Sequence, residues 1–320
     1  MFRIAPVLAT GLVVVAAAPA AAQTAPKTAK PQVSTGLAGS ITPESATLTG
    51  AVDPNGLSTN YRFEYGSGSK LSGRSARANA GTGVTRVAAT GGISGLKSNT
   101  TYRYRIVAAN KKGTVRGKIR SFRTPKQPLG FSVAANPSLV SFGGATTIAG
   151  TLGGTGSTNR EVQLQQNPWP YTGGFQPVGN VQLTSSTGGF AFPLLGLGIN
   201  TQYRVVTTGK QPTISDVVGA EVGVVVTTNV KRRVKKNNTL QFSGRVRPAK
   251  VGDQIGVQRL SGDEWVTLKG SRTTAGTTEY ANYKTKVRIR KSGTYRVFVK
   301  IADGSLKSLP GSSVDISLRR

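Results

Sequence analysis

One short motif recurs along this 320-residue chain and constrains its fold more than any other feature. Leu96-Lys97-Ser98-Asn99-Thr100-Thr101-Tyr102-Arg103 is echoed by Leu197-Gly198-Ile199-Asn200-Thr201-Gln202-Tyr203-Arg204, with Leu, Asn, Thr, Tyr and Arg at identical offsets. A shorter echo is Gly293-Thr294-Tyr295-Arg296-Val297. The three tyrosines lie 101 and 92 residues apart, the length of one β-sandwich. After Tyr102 and Tyr295 the side chains alternate with period two. Tyr102, Tyr104, Ile106 and Ala108 share one parity and Arg103 and Arg105 the other; Tyr295, Val297 and Val299 alternate with Arg296, Phe298 and Lys300. A strand with one buried face reads this way. With 41 glycines and 16 prolines to make turns, the chain is expected to be all-β: three tandem sandwiches at 32–125, 127–229 and 230–320.

The first 22 residues read as a secretory signal peptide rather than as structure. Arg3 is the basic start, an uncharged stretch built on Val7, Leu8 and Leu12–Val15 follows, and Ala20-Ala21-Ala22 makes a small-residue cleavage site before Gln23. The stretch falls short of the roughly 20 apolar residues a transmembrane helix needs. The mature chain is therefore expected to be secreted, extracellular or surface-associated, without a transmembrane anchor, and to begin with a linker at 23–31.

The first unit carries more of a pattern. Leu96, Thr100 and Tyr102, then Ala108, Asn110 and Gly113, follow a strand at 45–52, the turn Asp53-Pro54-Asn55-Gly56, and the alternating Tyr61, Phe63 and Tyr65. Over residues 32–125 this resembles a fibronectin type III domain, in a divergent, bacterial-type form with Ser98 where that family usually has Pro and with no Trp in the early strand. The resemblance implies that the Tyr102 hydroxyl bonds back to the backbone upstream. The later units share only the tyrosine and resemble generic bacterial immunoglobulin-like sandwiches. Their strands are expected at 146–152, 160–166, 181–184, 189–192, 202–207 and 221–227, then at 239–246, 254–260, 264–269, 280–290, 294–302 and 314–318, with linkers at 124–128 and 228–230.

The composition excludes much chemistry. There is no Cys and no His, so disulfides, zinc and haem ligation, lipoprotein acylation and any triad needing imidazole or thiolate are out. Ser67-Gly68-Ser69-Lys70 has the Ser-x-x-Lys spacing, but it lies in a Gly/Ser loop after a strand and lacks the partner motifs of that chemistry. The stretch 113–118 is one residue short of a phosphate loop. Asp263-Glu264 sits at a turn, and Asp53 with Asn55 offers too few oxygens for calcium. No enzyme activity, metal or cofactor is expected.

Charge is distributed unevenly. Residues 32–125 hold 14 Lys/Arg and 3 acids, 127–229 hold 3 and 3, and 230–320 hold 21 and 6, within a formal net charge of +30. Two basic units thus flank a neutral one in sequence, and such a field attracts polyanions. Specific nucleic-acid recognition is not expected, because no binding motif or aromatic-interleaved groove accompanies the charge. The expected function is a non-enzymatic envelope or adhesion-type protein that binds anionic surface polymers or polysaccharide. Alternation in the third unit names the face. Leu240, Phe242 and Val246 point inward, leaving Arg245 and Arg247 outward; Tyr283, Thr285, Val287 and Ile289 leave Lys284, Lys286, Arg288 and Arg290 outward; Val230 and Val234 leave Lys231, Arg233 and Lys235 outward. If these strands share one sheet, as first, second and fifth strands do in immunoglobulin-like folds, the nine cations form one surface free of acids. The alternative from another class is carbohydrate binding by the cluster Trp169, Tyr171 and Phe175, whose aromatic rings would stack on sugars.

Overall fold

The computed structural model describes residues 28–319; the expected signal peptide at 1–22 lies outside them, as does most of the 23–31 linker. The described residues contain strands and turns and no helix, and so no helix long and apolar enough to cross a membrane. The chain divides into two compact units, one ending at Pro125 and the other beginning at Lys126.

The first unit is a two-sheet sandwich. Its strands are β1 Gln32–Gly39, β2 Ser45–Asp53, β3 Thr59–Gly66, β4 Gly73–Arg74, β5 Ala78–Gly81, β6 Val87–Ser94, β7 Thr101–Asn110, β8 Gly113–Arg116 and β9 Arg120–Arg123. One sheet has the order β1-β2-β6; the other has β4-β3-β7-β8, with β5 added to β3 and β9 to β7. The alternation read from the sequence sets the core: Leu48, Val52, Phe63, Tyr104 and Ile106 are buried between the sheets. Tyr102 is buried against Phe122, and its hydroxyl accepts the Lys97 backbone N–H at 2.8 Å, the upstream bond that the fibronectin resemblance implied.

The second unit holds two further sheet pairs. The strands of the first pair are β10 Gly130–Asn136, β11 Leu139–Ser141, β12 Gly144–Gly153, β13 Glu161–Pro168, β14 Gln176–Pro177, β15 Gln182–Leu183, β16 Gly189–Leu197, β17 Thr201–Thr207 and β18 Val218–Gly223. They form β10-β12-β16 facing β11-β18-β17-β13-β14, with β15 on β13. The last pair comprises β19 Val225–Asn229, β20 Arg233–Lys235, β21 Thr239–Arg247, β22 Gln254–Ser261, β23 Glu264–Arg272, β24 Ala281–Arg288, β25 Gly293–Lys300 and β26 Val314–Arg319. These form β19-β21-β24 facing β20-β26-β25-β22-β23. The expected strand at 221–227 is in fact two strands: β18 closes one pair and β19 opens the next by pairing with β21. The passage between them is Val224, not 228–230.

Such a short passage presses the two pairs together, and one apolar core runs through both. Lys307 N–H donates to the Val222 carbonyl at 2.8 Å, and Val224 N–H donates to the Lys307 carbonyl at 3.2 Å. Asn200, the asparagine of the repeated motif, joins them again. Its Nδ2 donates to the Gly304 carbonyl at 2.9 Å, its Oδ1 accepts Val222 N–H at 2.7 Å, and its own N–H donates to the Ser305 carbonyl at 2.9 Å.

Candidate anion-binding faces

In the last sheet pair, pairing between β21 and β24 sets Thr239 opposite Arg288, Gln241 opposite Lys286, Ser243 opposite Lys284 and Arg245 opposite Asn282. Opposed residues share a face. Leu240, Phe242, Val246, Ala281, Tyr283, Thr285 and Val287 are buried on the inner side. Arg245, Arg247, Lys284, Lys286 and Arg288 are therefore exposed together on the outer side. The core-facing Tyr283 hydroxyl donates to the Thr227 carbonyl at 2.7 Å, and burial pushes its pKa up to about 12, so it stays neutral at physiological pH.

The outer face includes a concavity of about 730 Å³, lined by Arg245, Arg247, Lys284 and Tyr280 among others. The Arg245 guanidinium lies 4.2 Å from the Tyr280 ring centroid, which holds it over the surface. Arg247 pairs with Glu279 at 3.2 Å, so the face is not free of acids. Outward cations two apart on one strand lie about 7 Å from each other, where two unit charges repel by about 0.6 kcal/mol in water. A folded strand easily bears a repulsion of that size.

The expected nine-residue surface needs correction. Arg233 and Lys235 lie on β20, which runs parallel to β26 in the opposite sheet, so they are exposed but not on this face. The opening segment divides: β19 adds to one sheet, and after a short crossing β20 adds to the other. Val234 still points into the core, so parity was legible while sheet membership was not. Lys231, in the crossing, lines a shallow hollow of about 360 Å³ with Thr239, Gln241 and Ser243, and so adjoins the face. Arg290 lies exposed beyond the end of β24.

The three aromatic residues of the alternative site do not form one platform. Trp169 and Tyr171 meet edge to face, at 89° with centroids 5.3 Å apart. The Trp169 ring lies over Gly304 of the following sheet pair, where a Cβ would come within 3.3 Å of it. Phe175 is capped by the Arg204 guanidinium, 4.3 Å from its centroid. All three are half-buried.

A second basic face lies in the first unit, where sequence reasoning had not looked for a site. Register places Arg62 opposite Val107, Glu64 opposite Arg105, Val107 opposite Arg116 and Thr101 opposite Arg123. Arg62, Arg103, Arg105, Arg116 and Arg123 therefore share the outer side of β3-β7-β8-β9. Glu64 is nearly buried there and is satisfied by Arg105 at 2.8 Å. The alternating Arg103 and Arg105 were the available signal; their neighbours come from strands distant in sequence.

Geometry and topology together define a tandem array of immunoglobulin- and fibronectin III-type β-sandwiches. No protein-family model matches the sequence, and neither does any curated protein. Among solved structures, domains A168–A170 of titin align over 90% of this chain and 99% of their own, at 15% identity and TM-score 0.39. The FN1–FN3 domains of chicken CNTN1 cover 92% and 100%, at 15% identity and TM-score 0.29. A tetra-tandem repeat from the extending region of a large adhesion protein covers 90% and 75%, at 13% identity and TM-score 0.31. Likenesses this distant say nothing of function.

Proposed function

We propose that this chain is an exported, non-enzymatic, adhesion-type protein that holds anionic polymers of the cell envelope through basic sheet faces. One observation carries the reading. On the outer side of β21 and β24, strand alternation sets out five cations, Arg245, Arg247, Lys284, Lys286 and Arg288, against the single acid Glu279. Each cation contributes little by itself in water. Repeated along a strand at fixed spacing, they match a polymer that carries charge at intervals, and the field weakens as salt shortens its range. The neutral sandwich joined to this one carries three cations balanced by three acids, so the basic surface is a local property and not a drift of composition.

Replacing Lys286, Arg288 and Arg290 together by Glu is expected to abolish retention of the chain on anionic envelope polymer at low salt. The wild-type chain is expected to elute by about 0.5 M salt, where the screening length falls to a few ångströms. Unchanged retention of the triple variant overturns the reading and leaves solubility as the role of the charge.

A further inference from the structure

The open side of the last sandwich, between edge strands β23 and β24, holds a groove of about 640 Å³. Its cations are Arg259, Lys269, Lys286, Arg288, Arg290 and Lys291, and no carboxylate lines it. None of the ion pairs among the described residues involves any of the six.

Two of them stand where a core residue is expected. On β22 the inward parity runs Ile255, Val257, Arg259, and the first two are buried. Lys269 of β23 pairs with Val257, and Arg259 pairs with the buried Tyr295, so both cations project from the core-facing side at the mouth of the sandwich. The hydroxyl bond between Ser271, opposite Ile255, and the buried Thr285 of β24 confirms which way this side of β23 faces. Folding does not require a cation here. In the neutral sandwich the residue opposite the corresponding tyrosine, Tyr203, is Gln166. The Tyr295 hydroxyl donates to the Lys291 carbonyl at 2.6 Å and fixes the backbone at the groove's end. Arg259 and Arg288 each spend one donor on a backbone carbonyl, of Leu260 and Asn237, which holds each guanidinium in place.

We infer that this groove is a discrete site for phosphate groups. A carboxylate offers one charge and two oxygens. A terminal phosphate offers three tetrahedrally placed acceptor oxygens with up to two charges, and so suits guanidinium forks together with ammonium groups. The volume admits more than one such group, as neighbouring units of a phosphate-bearing polymer would present. The inference sharpens the reading above, resting on the same sandwich, but it assigns the binding to six side chains that line one groove instead of a diffuse field.

The test is calorimetric titration of the full chain with tripolyphosphate, and with an oligogalacturonate of matched charge, at near-physiological salt. The expected result is saturable tripolyphosphate binding at one site, with the oligogalacturonate weaker by about tenfold. Arg259→Gln with Lys269→Gln is expected to weaken tripolyphosphate by about tenfold or more. Lys300→Gln with Arg319→Gln, which removes the same charge from exposed positions outside the groove, is expected to change it by less than about twofold. Thermal unfolding of each variant reports whether the fold is kept, and Gln166 shows that glutamine fits the position. Equal losses from both pairs, or equal affinity for the carboxylate oligomer, overturn the inference. If tripolyphosphate occupies the groove but no envelope polymer is retained, the polymer reading fails and the groove stands. If polymer is retained and the groove pair changes nothing, the groove fails and the polymer reading stands.

Discussion

Gly244→Ala is a small change with a large expected effect. Gly244 lies in the middle of β21, alongside its antiparallel neighbour β19. A Cβ there would fall well inside contact distance of the Thr227 carbonyl oxygen, 2.8 Å from the Thr227 carbonyl carbon and 2.8 Å from the Tyr283 hydroxyl. The obstacle is backbone, so β19 itself must move. The shift strains the ladder about Thr228↔Gly244 and the Tyr283–Thr227 bond. Two or three weakened hydrogen bonds at about 0.5–1.5 kcal/mol each outweigh the roughly 0.5–1 kcal/mol that alanine returns in backbone entropy. The expected net loss is about 1–3 kcal/mol, a fall in melting temperature of roughly 2–12 °C for a unit of this size. Thermal unfolding followed by circular dichroism measures it. Gly219→Ala, with nothing within 4 Å of its added Cβ, is the control and is expected to gain roughly the 0.5–1 kcal/mol of backbone entropy alone. A Gly244→Ala chain melting with the control refutes the reasoning. The same close approach recurs at Gly150, where a Cβ would meet the Ser132 carbonyl group, and at Gly50, where it would lie 2.8 Å from the Ser34 carbonyl oxygen.

Three further outcomes follow from particular contacts. Tyr102→Phe leaves the Lys97 N–H without its acceptor and is expected to cost about 1 kcal/mol, seen as an earlier transition of the first unit alone in calorimetry. Asn200→Ala removes one side-chain bond that joins the last two sheet pairs, to the Gly304 carbonyl, and one within its own pair, from Val222 N–H, and is expected to cost about 1–2 kcal/mol. It should also speed amide exchange at Val222; unchanged exchange there would show that the Asn200 side chain is not what protects that amide. Bonds from Ser305 and Lys250 hold the Asp303 carboxyl down to about 2, below its ordinary value of 3.8. A depressed carboxyl stabilises the fold fully above its unfolded value and loses that contribution as pH falls through the folded one. Stability is therefore expected to decline between about pH 4 and pH 2, and Asp303→Asn should flatten that part of the profile in acid titration of the unfolding midpoint.

The sequence by itself determined which side of the regularly alternating strands is wet. Leu240, Phe242 and Val246 are buried and Arg245 and Arg247 exposed, as the period-two pattern required, because a one-residue slip would bury charge and expose the core. It also marked Tyr102, Tyr203 and Tyr295 as buried residues opening late strands. The sequence carries a further signal: Leu48-x-Gly50-x-Val52, Ile148-x-Gly150-x-Leu152 and Phe242-x-Gly244-x-Val246 mark the second main strand of each sheet pair and the point where its antiparallel neighbour comes closest. Which sheet a strand joins was decided only in three dimensions. The segment 231–235 has the parity expected of it, yet β20 pairs with β26, more than 80 residues away, and so carries Arg233 and Lys235 to the other side. The groove likewise draws Arg259, Lys269, Lys286, Arg288, Arg290 and Lys291 from three strands and a turn. Alternation is a local consequence of the pleat and can be read along the chain. Pairing is a contest among distant edges for the same hydrogen bonds, and only the packed whole resolves it.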